Sequence, residues 1–185
     1  MRAQQGFTLI ELMVTVALVA ILVGIAVPSF QGALNGNRLA TSANELIASL
    51  QTARMEAIRR NRRVAVCMSA NANAGQDATC ANANVDGWIT FVDLNADGDF
   101  DKAGDILLRN SGFSGPLVVS GEDQVVYRSD GLARGSDGTT LMTAGRVRLR
   151  IDTTTPNRNV RCIEIGTGGA SVRPEANTSH DDDCT

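Results

Sequence analysis

The sequence predicts an α+β fold, a long N-terminal α-helix packed on an antiparallel β-rich head. Three observations predict it. Residues 12–27 are almost uninterruptedly apolar, the apolar residues beyond them recur at threes and fours, and after Arg63 the pattern changes to short β-branched and aromatic runs separated by Gly, Asn and Asp. Strands that follow a helix as a block favour α+β over alternating βαβ units. At 185 residues the chain has room for one long helix and one modest head, and two independent domains do not fit.

The helical pattern runs from Phe7 to about Asn61. Its first part is apolar all round and covers roughly 30 Å, enough to cross the hydrocarbon core of a membrane. Glu11 is a lone carboxylate in that segment, and a charge there is costly unless a partner meets it. Pro28 removes a backbone donor and should bend the helix without necessarily ending it. Beyond it Leu39, Ala43, Leu46, Ile47, Leu50, Ala53, Ala57 and Ile58 form the stripe that lies on a sheet. Arg54, Arg59, Arg60, Arg62 and Arg63 complement the negative end of the helix dipole, with a subunit or anionic-surface contact as the alternative reason for the cluster.

The strand pattern then gives seven runs, at 64–68, 88–92, 106–108, 117–119, 125–127, 146–151 and 160–165, expected to form one antiparallel sheet. Residues 69–85, rich in Ala and Asn, read as a surface loop. Residues 178–185 read as a mobile tail apart from Cys184. None of the four cysteines has the C-x-x-C spacing of a metal or redox site. In an exported domain their even number favours disulfides, and of the three pairings Cys67–Cys80 with Cys162–Cys184 closes the two local loops.

The segment Asp93, Asn95, Asp97, Gly98, Asp99, Asp101 alternates side-chain oxygens as the first half of an EF-hand calcium loop does. Gly104 stands where the bidentate Glu belongs, and the flanks are strands, so a hairpin connection competes with calcium. The net charge of −3 nominates no nucleic-acid protein, although the post-membrane segment is rich in Arg and Asp181–Asp183 is acidic. Catalysis has no constellation. His180 is the single histidine, and neither a phosphate-binding loop nor a dinucleotide fingerprint is present. The chain reads as a substrate of a processing enzyme rather than an enzyme, and as working without a cofactor unless calcium binds.

Gly6-Phe7-Thr8-Leu9-Ile10-Glu11 places a polar junction before the apolar core, unlike a secretory signal, which is cut after it. This arrangement resembles the leader of type IV prepilins and type II secretion pseudopilins. The resemblance implies cleavage after Gly6 by a prepilin peptidase, N-methylation of Phe7, and Glu11 as the partner of a neighbouring subunit's terminal amine that sets helix register. Residues 87–93, Gly-Trp-Ile-Thr-Phe-Val-Asp, followed by Asn95 and Asp97-Gly98, together with residues 127–135, resemble the minor pilins related to GspH, FimU and FimT.

That family implies a leader over 1–6, a membrane and filament-core helix over 7–28, an amphipathic helix over 29–62 and a β-rich periplasmic head over 63–185 with a pinned tail. It implies an inner-membrane precursor that joins a cell-surface pilus through contacts with major and minor pilins, and initiates or caps assembly. The FimT branch is associated with DNA capture through a Gly-Arg-x-Arg element. Gly145-Arg146-Val147-Arg148 fits it, strand alternation puts Arg146, Arg148 and Arg150 on one face, and Arg173 completes a candidate DNA-binding patch. An H-type pseudopilin of a secretion system shares the same leader and fold.

Overall fold

The computed structural model describes residues 8–113, 115–152, 158–175 and 184. The leader junction Gly6-Phe7, His180 and all of the tail except Cys184 lie outside the described residues.

One helix, α1 (Leu9–Arg60), runs 52 residues. It starts because Thr8 is extended and its hydroxyl accepts the Glu11 N–H, satisfying one of the amides a helix start leaves unpaired. The helix continues through Pro28, so the proline does not end it. It stops at Asn61, which takes a left-handed conformation (φ 52°) and sends its N–H back to the Ala57 and Ile58 carbonyls. Glu56 bonds both Arg59 and Arg60 in this last stretch, and these guanidinium groups hold its carboxyl at about 2, below its ordinary 4.5. A depressed carboxylate contributes stability above its unfolded pKa and loses it as pH falls toward the folded one. We therefore expect Glu56→Gln to weaken the head at neutral pH and to flatten the loss of stability between about pH 4.5 and 2, measured as denaturation midpoint against pH.

Nine strands follow among the described residues: β1 (Arg63–Ser69), β2 (Gly87–Asp93), β3 (Ile106–Gly112), β4 (Val118–Gly121), β5 (Gln124–Tyr127), β6 (Ala133–Arg134), β7 (Gly145–Arg150), β8 (Val160–Gly166) and β9 (Gly169–Glu175). They form two sheets rather than the single sheet of seven that the pattern suggested. One has the order β3-β2-β1-β5-β6 and the other β4-β7-β8-β9, with antiparallel pairing throughout. The chain changes sheet after β3, after β4 and after β6; at the second of these crossings Gly121 has φ 114° and an added Cβ would meet the Arg146 carbonyl oxygen at 2.0 Å. Only glycine fits that crossing point.

The helix stripe Leu39, Ala43, Leu46, Leu50, Ala53 and Ala57 is buried in one core with inward residues of both sheets, among them Val64, Val66, Trp88, Tyr127, Leu149 and Ile163. Ser42 and Ser49 lie in the same stripe and are also buried. Ile58, expected in the stripe, is 51% exposed; it lies over Gly131, where a Cβ would come 2.8 Å from its Cδ1. A second, smaller core covers the other face of the five-stranded sheet, where Ala65, Cys67, Ile89, Phe91 and Val126 meet Ala78 and Phe100 from loops. Burial on both faces explains why every residue of β2 is buried. The loop after β1 includes a 3-10 turn, Ala72–Asp77, and is bonded through Cys67–Cys80, with Cα atoms 5.6 Å apart. Cys162–Cys184, at 5.8 Å, fixes residue 184 against β8.

Candidate assembly interface

The two halves of α1 have opposite surroundings. From Leu39 onward the stripe is enclosed by the head, whereas Leu9, Ile10, Leu12, Met13, Val16, Ile21, Leu22, Ile25 and Phe30 are each 60–76% exposed. The most apolar 18-residue window of this helix has none of its residues buried, and by length and composition it is able to cross a membrane. A contiguous apolar surface of this size is not stable against water and calls for lipid or other helices around it.

Glu11 sits in the first turn of α1 and is exposed. Thr8-x-x-Glu11 has the form of a capping box, so the helix dipole gives the carboxylate a local reason for its place. Among the described residues it makes no ion pair, which leaves its oxygens open to a cation from outside the chain.

The acidic loop after β2 spends its oxygens on its own backbone. Asp93 Oδ1 accepts the Ala96 N–H at 2.7 Å, Asn95 Oδ1 the Asp97 N–H at 3.3 Å, and Asp97 Oδ1 the Asp99 N–H at 3.0 Å. Asp105 takes the Leu94 and Asp101 amides at 2.9 and 3.0 Å. Asp93 is fully buried and faces Arg63, its Oδ2 3.2 Å from Nη2. The pair is within ionic distance but misaligned, so Asp93 Oδ2 and Arg63 Nε lack a hydrogen-bond partner. Burial raises the Asp93 carboxyl above its ordinary value, opposed by Arg63. Among the described residues the carboxylates of this loop do not converge as a cation cage does; the geometry is that of a hairpin connection built from Asx turns, and it gives the calcium expectation no support.

The arginine face forms as alternation predicts but differs in charge from the expected patch. Val147 and Leu149 point into the core, and Arg146, Arg148 and Arg150 take the opposite face. Arg146 is exposed, while Arg148 is only 8% exposed. Arg150 Nε lies 3.2 Å from Asp152, and Arg173 contacts Glu164 at 3.1 Å and Glu175 at 2.9 Å. Among the described residues Arg150 and Arg173 thus have carboxylates beside them, which lowers their capacity to neutralise phosphates.

Two links between helix and head, and one within the head, escaped the sequence reading. Trp88 Nε1 donates to Ser49 Oγ at 2.9 Å inside the core, Arg109 pairs with Glu45, and Arg63 pairs with Asp93. The signal for the first was present: Ser42 and Ser49 interrupt the apolar stripe seven residues apart on one face. The Arg63–Asp93 pair depends on the β1–β2 register, which sets these residues opposite one another.

Over 58 residues the chain is 43% identical to a fimbrial protein of Pseudomonas aeruginosa, a stretch covering 31% of this chain and 37% of that protein. Over 48 residues it is 44% identical to the type IV major alpha-pilin of Moraxella bovis, covering 26% and 30%. The chain spans about a third of the length of these curated relatives. The crystal structure of the type IV minor pilin FimU of Pseudomonas aeruginosa is 18% identical, covers 80% of this chain and 96% of its own, and superposes with a TM-score of 0.44. A prokaryotic N-terminal methylation motif matches residues 1–27. The family model described as type II transport protein GspH matches residues 42–169, which include the enclosed half of the helix and most of both sheets. With the methylation motif at one end and that match over more than half its length, the chain belongs to the GspH family of type IV minor pilins and pseudopilins.

Proposed function

We propose that this chain is a minor subunit of a type IV pilus that initiates or caps assembly. In this reading a prepilin peptidase cuts after Gly6 and Phe7 is N-methylated. The apolar half of α1 holds the subunit in the inner membrane with its head in the periplasm, and later packs among the helices of other pilins in a cell-surface fibre. The observation that carries the reading is the unburied apolar window of a helix whose other half is enclosed by the head. One segment serves two apolar environments, lipid before assembly and sister helices afterwards. The subunit acts by packing, without catalysis and without a cofactor.

The family description, a type II transport protein, favours a second reading as a pseudopilin of a secretion apparatus. The relatives' names, fimbrial protein and major pilin, favour the pilus. Cross-linking the native subunit to its neighbours and identifying them by mass spectrometry decides between the two. Pilins of a surface fibre support the first, and components of a secretion apparatus support the second. A DNA-binding head draws no support from the arginine face, where Arg150 and Arg173 already have acidic partners.

A further inference from the structure

Much of the arginine of the head is matched by a carboxylate. Arg59 and Arg60 have Glu56, Arg63 has Asp93, Arg109 has Glu45, Arg134 has Asp130, and Arg150 and Arg173 have theirs. Arg38, Arg158 and Arg161, like Arg54, Arg62, Arg128 and Arg146, make no ion pair among the described residues, and the fold gathers these first three at one end.

That end is fixed by a chain of contacts. The Gly168 carbonyl accepts from Arg54, so the β8–β9 turn lies beside the distal part of α1 and the start of β8 lies toward the membrane segment. Arg38 lies over Gly115, where a Cβ would come 3.2 Å from its Nη1. Gly115 leads into β4, whose Val118 pairs with Arg150, which pairs in turn with Val160. Arg158 is two residues before Val160, and the Arg161 guanidinium folds back to donate to the Arg158 and Val160 carbonyls at 3.0 and 2.9 Å. Desolvation and the nearby Arg158 lower the Arg161 pKa, the mark of a cation lacking an anion. Asp152 and Glu175, at the same end, are taken by Arg150 and Arg173. The intervening residues 153–157 carry no charge. Among the described residues the carboxylate standing against the three arginines is that of Asp86, just before β2, whose Oδ1 accepts the Ala72 N–H; Asp181–Asp183, which precede the Cys184 bonded to Cys162, lie outside the described residues.

The height above the bilayer is also set. Phe30 is 66% and Leu34 40% exposed, the last of the exposed large apolar residues of the N-terminal half. Arg38 follows Phe30 by about 12 Å of helix, and helical side chains lean toward the N-terminus. The headgroup layer extends roughly 5–8 Å beyond the hydrocarbon, within reach of an arginine held there.

We propose that the base of the head, through Arg38, Arg158 and Arg161, is a seat for the anionic headgroups of the membrane in which the subunit waits. The seat rests on the membrane-anchored reading above. It holds the head down on the bilayer before assembly, and lifting it off is a step that precedes entry into a fibre. Attraction of juxtamembrane arginines to anionic lipid corresponds to roughly fivefold per residue, so three bias the seated over the lifted head by roughly a hundredfold.

Trp88 is the only tryptophan and lies in β2 one residue from Gly87, so energy transfer from it to dansyl-labelled lipid headgroups reports how close the head sits. The full chain is reconstituted at high dilution into phosphatidylcholine vesicles and into vesicles in which part of the phosphatidylcholine is replaced by phosphatidylglycerol. The expected result is higher transfer with phosphatidylglycerol, lost at about 1 M salt, where the screening length falls to about 3 Å. Arg38→Gln and Arg158→Gln, singly and together with Arg161→Gln, lower the transfer stepwise, while Arg146→Gln on the other face leaves it unchanged. Circular dichroism confirms that each variant is folded. Equal transfer in the two lipids, or transfer indifferent to all three substitutions, overturns the seat. Failure of the chain to float with either vesicle overturns the anchoring reading instead.

Discussion

Glu11→Ala is expected to lower the subunit's content in sheared fibres by about a hundredfold or more while leaving its insertion in the membrane intact. The carboxylate lies in the first turn of a helix whose following residues are exposed and apolar. In the proposed fibre it would leave water and need a cation, which the terminal amine of a neighbouring Phe7 would supply. Removing one member of a buried pair leaves the other charge unmatched, at a cost of about 3–5 kcal/mol. Insertion in lipid does not suffer, because the segment becomes more apolar. Quantitative immunoblotting of fibre and membrane fractions separates the two effects. A variant as abundant in fibres as the parent contradicts the register role and leaves Glu11 only its local place as a helix-start carboxylate.

Trp88→Ala is the substitution with the largest expected effect on the head itself. The indole is 1% exposed, stacks edge-on against Phe113 with ring centroids 5.3 Å apart, and donates to Ser49 across the helix–sheet boundary. Truncation opens a cavity where α1 rests on β2, and we expect a loss of about 3–5 kcal/mol in denaturant unfolding followed by circular dichroism. Ser49→Ala leaves the indole N–H buried without an acceptor and costs less, about 1–3 kcal/mol. If Trp88→Ala unfolds at the parent's denaturant concentration, the helix is not held to the head through this contact.

The parts of the fold visible in the sequence were those governed by local periodicity. The threefold and fourfold recurrence from Leu39 to Ala57 marked the enclosed face of α1, and the unpatterned apolar run before it marked the exposed half. Alternation along β7 correctly separated Arg146 and Arg148 from Val147 and Leu149. The assignment of strands to sheets was not visible, because β4 pairs with β7 across an intervening pair of strands that belong to the other sheet. β9 was hidden by its composition: it carries Pro174, is mostly exposed and has little β-branched content, as an edge strand permits. The candidate calcium loop shows the limit from the other side. Spacing alone located the oxygens of Asp93, Asn95 and Asp97, but whether they face a cation or their own amides depends on the turn geometry, and Arg63 reaches Asp93 only through pairing of β1 with β2.

If a processed apolar helix exchanges lipid for sister helices, the fibre itself holds the processed chain. Its most direct test is the intact mass, with N-terminal fragmentation, of this subunit recovered from purified fibres. The expected chain starts at Phe7, carries one added methyl group on that residue, and retains the whole head. A chain that still starts at Met1, or one that is recovered solely outside any fibre, contradicts it.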